Sequence, residues 1–137
     1  MITFSNPDGV RAPASRYSHA ALIQGPGRRL VLSGQVGVAP DGTIPETGEA
    51  QMTQALLNLR ALLVAHAMGP AHIVKLTVFL TTTALIGPWR AARDIAMEGH
   101  APTSTLLIVA GLADPRFVVE VEEIGRASCR ERVCSTV

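Results

Sequence analysis

A single apolar stripe constrains the fold more than any other feature of the chain. Met52, Ala55, Leu56, Leu59, Leu62, Leu63 and His66 or Ala67 recur at i, i+3, i+4 and i+7 spacing. That spacing gathers them along one side of a helix and requires an apolar surface to cover them. Thr47 stands where an N-cap belongs, Glu49 suits the first turn, and Gly69-Pro70 stops the helix. The next segment offers the cover. Along Ile73 to Leu80 the side chains alternate, with Val74, Leu76, Val78 and Leu80 expected against the helix and Ile73, Lys75, Thr77 and Phe79 on the opposite face.

The remaining elements follow from turn residues and alternation. A short strand is expected at Ile2 to Phe4. Tyr17 to Gln24 turns through Gly25-Pro26-Gly27 into Leu30-Val31-Leu32, which reads as a strand covered on both faces. Leu85 to Met97 reads as a second helix, with Pro88 tolerated in its first turn and Trp89, Ala92, Ile95 and Ala96 toward the core. Thr105 to Val109 and Phe117 to Ile124 complete the strands. In the last of these, Phe117, Val119 and Val121 share one side and Val118, Glu120 and Glu122 the other. The class is therefore α/β in a two-layer α+β arrangement, one sheet with both helices on one face. The other face carries Thr77, Phe79, Val118 and Glu120 with no helix left to cover it. Association through that face is the simplest remedy, and a chain only 17% charged leans the same way.

Residues 1–124 read as a single domain, and Gly125 to Val137 as a non-native, disordered tail. Three arginines and two cysteines without apolar periodicity follow directly on a clean strand. Gly125 to Val133 also resembles a translated sequencing-adapter read-through; a native basic tail that binds nucleic acid is the alternative. Without the tail, nine basic residues stand against ten acidic ones, a balance that does not favour capture of a phosphate backbone. The only cysteines, Cys129 and Cys134, lie in the tail, so the domain has neither disulfides nor thiolate metal sites. The N-terminus lacks a basic-then-apolar leader, and no apolar run approaches the ~20 residues of a membrane span. The expected compartment is the cytoplasm, with no membrane partner.

Chemistry concentrates in two places. In Ser33-Gly34-Gln35 a glycine interrupts a strand, which marks either a bulge or a point where something approaches the backbone closely. Glu120 is a carboxylate on an otherwise apolar strand, either paired with a cation such as Lys75 or poised as an acid/base group. Tyr17 either caps the core or lines a pocket mouth. Phosphate loops, nucleophile elbows and His-Glu-x-x-His are missing, and His19, His66, His72 and His100 show no ligand spacing. No metal or other cofactor is expected.

Taken together, Tyr17-Ser18-x-Ala20, Leu32-Ser33-Gly34-Gln35, Asn58-Leu59, Val74-Lys75-x-Thr77-Val78-Phe79-Leu80, Pro102 and Val119-Glu120-Val121-Glu122 occur in the order typical of the RidA family, also called YjgF or L-PSP. The resemblance spans essentially all of residues 1–124. It implies a chorismate-mutase-like homotrimer whose sheets form a central barrel, with three small-molecule clefts between subunits. It also implies that Tyr17, Ser33, Gly34 and Glu120 line that cleft, with Glu120 catalytic. One position departs from the pattern. Family members that hydrolyse 2-imino and enamino acids carry an arginine two residues after the proline matching Pro102, and here that residue is Ser104, followed two positions later by Leu106 where cysteine is common. Serine cannot form the bidentate, charge-assisted grip of a guanidinium on a carboxylate. The resemblance therefore implies a kept cleft with an altered preference, acting poorly on 2-iminopropanoate. Three readings remain: a hydrolase of imines, enamines or related carbonyl compounds with Glu120 positioning water, a non-catalytic small-metabolite binder or sensor, and, ranked last for want of a basic patch or a His pair, an endoribonuclease.

Overall fold

A computed structural model describes residues 1–128. Seven strands form one sheet: β1 (Ile2–Ser5), β2 (Ala20–Gln24), β3 (Gly27–Leu32), β4 (Gln35–Val36), β5 (Ile73–Leu80), β6 (Thr103–Ile108) and β7 (Val119–Ser128). Their order is β1-β2-β3-β7-β5-β6, with β4 also paired to β7. All pairs are antiparallel except β5 with β6. Helices α1 (Gly48–Val64) and α2 (Ile86–Met97) are joined to the sheet through short 3-10 turns at Pro70–His72 and Thr83–Leu85.

Helix α1 begins where the cap chemistry predicts, the Thr47 hydroxyl accepting from the Ala50 N–H at 3.2 Å. Its stripe, Met52, Ala55, Leu56, Leu59, Leu62 and Leu63, is buried against Leu30, Leu32, Leu76, Val78, Leu80, Val119 and Val121 of the sheet. Trp89 and Met97 of α2 close the same core. The expected two-layer arrangement is present, and among the described residues both helices pack on one face.

Four local expectations are corrected. A β-bulge between Ile73 and Lys75 adds a residue to β5, which inverts the alternation at its start, so Ile73 is buried and Val74 exposed. Ile95 is 81% exposed instead of core: six residues after the buried Trp89, at about 100° per residue, it has turned to the far side of α2. Val31 is 37% exposed while Leu30 and Leu32 are buried, because β3 alternates and its second face opens on the side that has no helices. The fourth concerns the end of the domain. Strand β7 does not stop at Ile124, since Gly125 to Ser128 continue the ladder with β3, Leu30↔Gly125 through Gly27↔Ser128, and Ala127 is buried. Disorder from Gly125 onward is therefore not found over 125–128. The rest of the expected tail, with Cys129 and Cys134, lies outside the described residues.

Candidate functional site

The bulge and the close approach, alternatives in sequence, coexist at Gly34. Val31 pairs with Ile124 and Gln35 with Val121, so four residue steps on the β3–β4 side oppose three on β7. The extra residue falls at Ser33-Gly34. Across from it Glu120 packs on the glycine: a Cβ at residue 34 would lie 2.9 Å from the Glu120 Cδ and 3.0 Å from its Cγ. Only a residue without a side chain leaves the carboxyl its place. Ser33 is oriented beside it, its hydroxyl donating to the Ser18 carbonyl at 2.6 Å and its N–H to the His19 carbonyl at 2.9 Å.

These residues open into a cleft of about 410 Å³. Its walls come from the 10–19 loop (Arg11, Tyr17, His19), from Ser33 to Val36, and from Phe117 and Glu120. Tyr17 stands edge-on to His19, ring centroids 5.5 Å apart. The sequence-predicted Tyr17, Ser33, Gly34 and Glu120 are thus brought together by one chain. Ser104 and Leu106 are not. They lie on the edge strand β6, opposite Leu76 and Val78 of β5, and Ser104 borders a separate hollow with Arg93, Asp94 and His100.

Buried amides hold the cleft in shape. Gln51 of α1 donates to the Pro45 and Arg116 carbonyls and accepts from the Val118 N–H at 3.0 Å, fixing the segment that leads into Glu120. Asn58, one helical face along, donates to the Val36 and Val38 carbonyls at 3.1 and 2.9 Å, pinning β4 to the helix. His19 is buried, its Nε2 donating to the Arg11 carbonyl at 2.7 Å and its Nδ1 accepting from the Gln35 amide at 2.9 Å. That pairing corresponds to the neutral ring with the proton on Nε2.

Glu120 is half-buried, and burial, helped by the charge of Glu122, pushes its pKa above the ordinary carboxylate value. Lys75, the cation considered as its partner, instead donates to the Thr105 hydroxyl at 2.5 Å. A partly hydrated carboxyl with a raised pKa holds its proton more readily than an ordinary surface carboxylate, which suits a group that gives and takes protons. Among the described residues no group of three His, Cys, Asp or Glu side chains comes together in metal-ligating fashion.

Comparison with known proteins places this geometry. The sequence profile described as endoribonuclease L-PSP matches residues 9–126. Among solved structures, a conserved Rid-family protein, YyfA of Yersinia pestis, is 25% identical, with a TM-score of 0.85 over 93% of this chain and 100% of its own. RidA of the Antarctic bacterium Psychrobacter sp. PAMC 21119 is also 25% identical, with a TM-score of 0.84 over 91% and 99% of the two chains. The YjgF gene product of E. coli, at 24% identity and a TM-score of 0.80 over 90% and 97%, shares the fold. No curated protein matches the sequence.

Proposed function

Since the chain belongs to the endoribonuclease L-PSP family, which includes the Rid and YjgF proteins, we propose that it hydrolyses imines, enamines or related small carbonyl derivatives in the Glu120 cleft. The observation that carries this reading is the Glu120 carboxyl itself, seated on Gly34, unpaired by Lys75 and raised in pKa beside Tyr17 and Ser33. In its acid form Glu120 gives a proton to the imine nitrogen. As carboxylate it then takes a proton from the water that adds to the carbon. Proton return to nitrogen lets ammonia leave as the hydroxyl proton passes to Glu120, which forms the carbonyl and restores the acid form, so one imine and one water give one carbonyl and one ammonia.

We propose a homotrimer as the working unit, supported by the uncovered sheet face, on which Val31 and Leu107 are exposed and Phe79 half-buried. The proposed compartment is the cytoplasm; no helix of the described residues is long and apolar enough to cross a membrane. An RNA-cleaving role has less support, since the cleft holds one cation, Arg11, and one histidine whose two ring nitrogens are both engaged. Ammonia release from a panel of imines and enamines generated in solution tests the reading. Turnover of small neutral or weakly polar imines above the uncatalysed rate is expected, with 2-iminopropanoate at least about tenfold worse because Ser104 offers no guanidinium clamp. Tight binding without turnover of any member would make the protein a binder or sensor instead.

A further inference from the structure

Away from the Glu120 cleft, an apolar groove of about 320 Å³ runs between α1 and α2. Leu56 and Leu63 of α1, Ala92 and Met97 of α2 and Ile73 of β5 line it, and Leu57 and Ile95 stand exposed at its mouth. Its volume is that of a small-molecule site. At its base lies one carboxyl, Glu123, which is 2% exposed and whose Oε1 has no hydrogen-bond partner. Burial alone raises its pKa to about 8, so no neighbouring cation offsets it. The other charges of the groove cancel at the rim, where Arg60 and Glu98, both exposed, face each other at 3.6 Å. Ala96 and Met97, in the last turn of α2, also border the groove, and a helix C-terminus carries partial negative charge.

Apolar walls that end in an uncompensated carboxyl and a helix C-terminus complement a molecule with an apolar body and a cationic head. We propose that the α1–α2 groove is a second ligand site, which takes a small aliphatic amine whose chain lies between the helices and whose ammonium group pairs with the Glu123 carboxylate. The site is independent of the Glu120 cleft. An unpaired buried carboxyl costs the free chain stability, and the bound ammonium offsets that cost. Glu123 is a neutral acid in the free chain at pH 7, so its proton passes to solvent as the ammonium arrives, close to one proton per amine bound. The titratable groups around it do not supply that proton. Arg60 and Glu98 stay paired at the exposed rim, and the rings of His72 and His100 are engaged by the Gly69 N–H and the Ile73 carbonyl.

Hexylamine, 1-hexanol and hexanoate test it, sharing one chain and differing in the charge of the head. Titrated at pH 8 into the full-length ¹⁵N-labelled protein, hexylamine is expected to shift the Arg60, Met97 and Glu123 amides, to leave Gly34 and Glu120 in place, and to bind at least about tenfold tighter than hexanol, with hexanoate weakest. Calorimetry at pH 7 in buffers of different ionisation enthalpy should read the released proton. In Glu123→Gln, and in Glu123→Leu should the amide variant not fold, the preference for the amine and the proton release both disappear. Equal binding of amine and alcohol, a preference that survives both substitutions, or shifts centred on Gly34 overturn the proposal, as does the absence of any shift. Groove resonances that move with protein concentration before a probe is added assign the groove to a second copy of the chain and overturn it too.

Discussion

Two carboxyls on one strand have opposite surroundings. Glu120 and Glu123 are three residues apart on β7, an odd separation, so they point to opposite faces of the sheet. Glu120 faces the helix-free side, half-buried in a cleft with a tyrosine, a serine and an arginine. Glu123 faces the helices, 2% exposed, its Oε1 without a hydrogen-bond partner, at the base of an apolar groove of about 320 Å³ between α1 and α2. Burial raises both pKa values, that of Glu123 to about 8. A raised pKa alone therefore does not mark function. What separates the two is access and company: Glu120 can reach solvent and polar neighbours, whereas Glu123 is a polar atom buried without compensation.

The sharpest contrast is expected in turnover. Glu120→Gln keeps the shape but removes the proton donor and acceptor, and should lower imine hydrolysis by roughly 10²–10⁴-fold while leaving the melting temperature nearly unchanged. Glu123 exchanged for any apolar residue should leave the rate constant per folded protein alone. Full activity in Glu120→Gln would remove the distinction.

The reverse contrast is expected in stability. Glu123→Leu replaces an unpartnered carboxyl by an apolar side chain of similar size and should stabilise the fold by roughly 2–4 kcal/mol at pH 8, measured by urea unfolding. The folded protein holds the Glu123 proton up to about pH 8, and the unfolded chain loses it near 4.5. Between those values the folded state binds more protons, so stability is highest below about pH 4.5 and declines as pH rises toward 8. In Glu123→Leu that decline should flatten. A leucine variant less stable than the natural sequence would mean that the carboxyl is compensated in the folded protein after all.

How far the sequence revealed these places depends on periodicity. Gly34 and Glu120 were legible because each breaks the pattern of its own strand, and the helix stripe was legible because 3.6-residue spacing over about four turns fits a helix and nothing else in the small menu of regular structures. The bulge that swaps Ile73 and Val74 was not, since alternation carries no mark of an inserted residue. Glu123 shares the parity of Val119 and Val121, so its burial was implied by the strand, although its missing partner was not. Arg11 and His19 escaped because the 6–19 loop has no period, and their meeting with Gln35 depends on the tertiary fold. Gln51 and Asn58 carried a weak signal: two amides seven residues apart beside the apolar stripe, each fastening a loop that no local pattern brings near. Ser104 and Leu106 lie away from the cleft of a single chain, and their assignment to it rests on the proposed trimer.

A smaller effect is expected from Gly34→Ala. The added methyl meets the Glu120 carboxyl and its Cγ, and because a flexible side chain yields more readily than backbone, the overpacking should cost about 1–3 kcal/mol without unfolding the domain. Turnover should fall with it, since the displaced carboxyl no longer sits beside Ser33. The corresponding change on the other face, Gly125→Ala, brings its Cβ no closer than 3.4 Å to the Met68 sulfur and should leave turnover unaffected. Equal losses of turnover in the two alanine variants would show that the Gly34–Glu120 contact is not specific to the site.

The smallest effect is the share of pH dependence that belongs to Glu120. Its pKa is raised in the folded chain, so it too favours folding at low pH and loses that benefit as pH rises through its folded value. Its partial hydration keeps the contribution below that of Glu123. Comparison of urea midpoints from pH 4.5 to 8.5 in three proteins separates the two groups. The natural sequence should show the steepest decline, Glu123→Leu a shallow residual slope, and the double variant Glu123→Leu with Glu120→Gln a slope flatter still. If the residual slope persists in the double variant, another group carries it and the raised pKa assigned to Glu120 is wrong. If the slope is already absent in Glu123→Leu, Glu120 titrates as an ordinary surface carboxylate, and its raised pKa no longer joins access and company in support of the acid/base role.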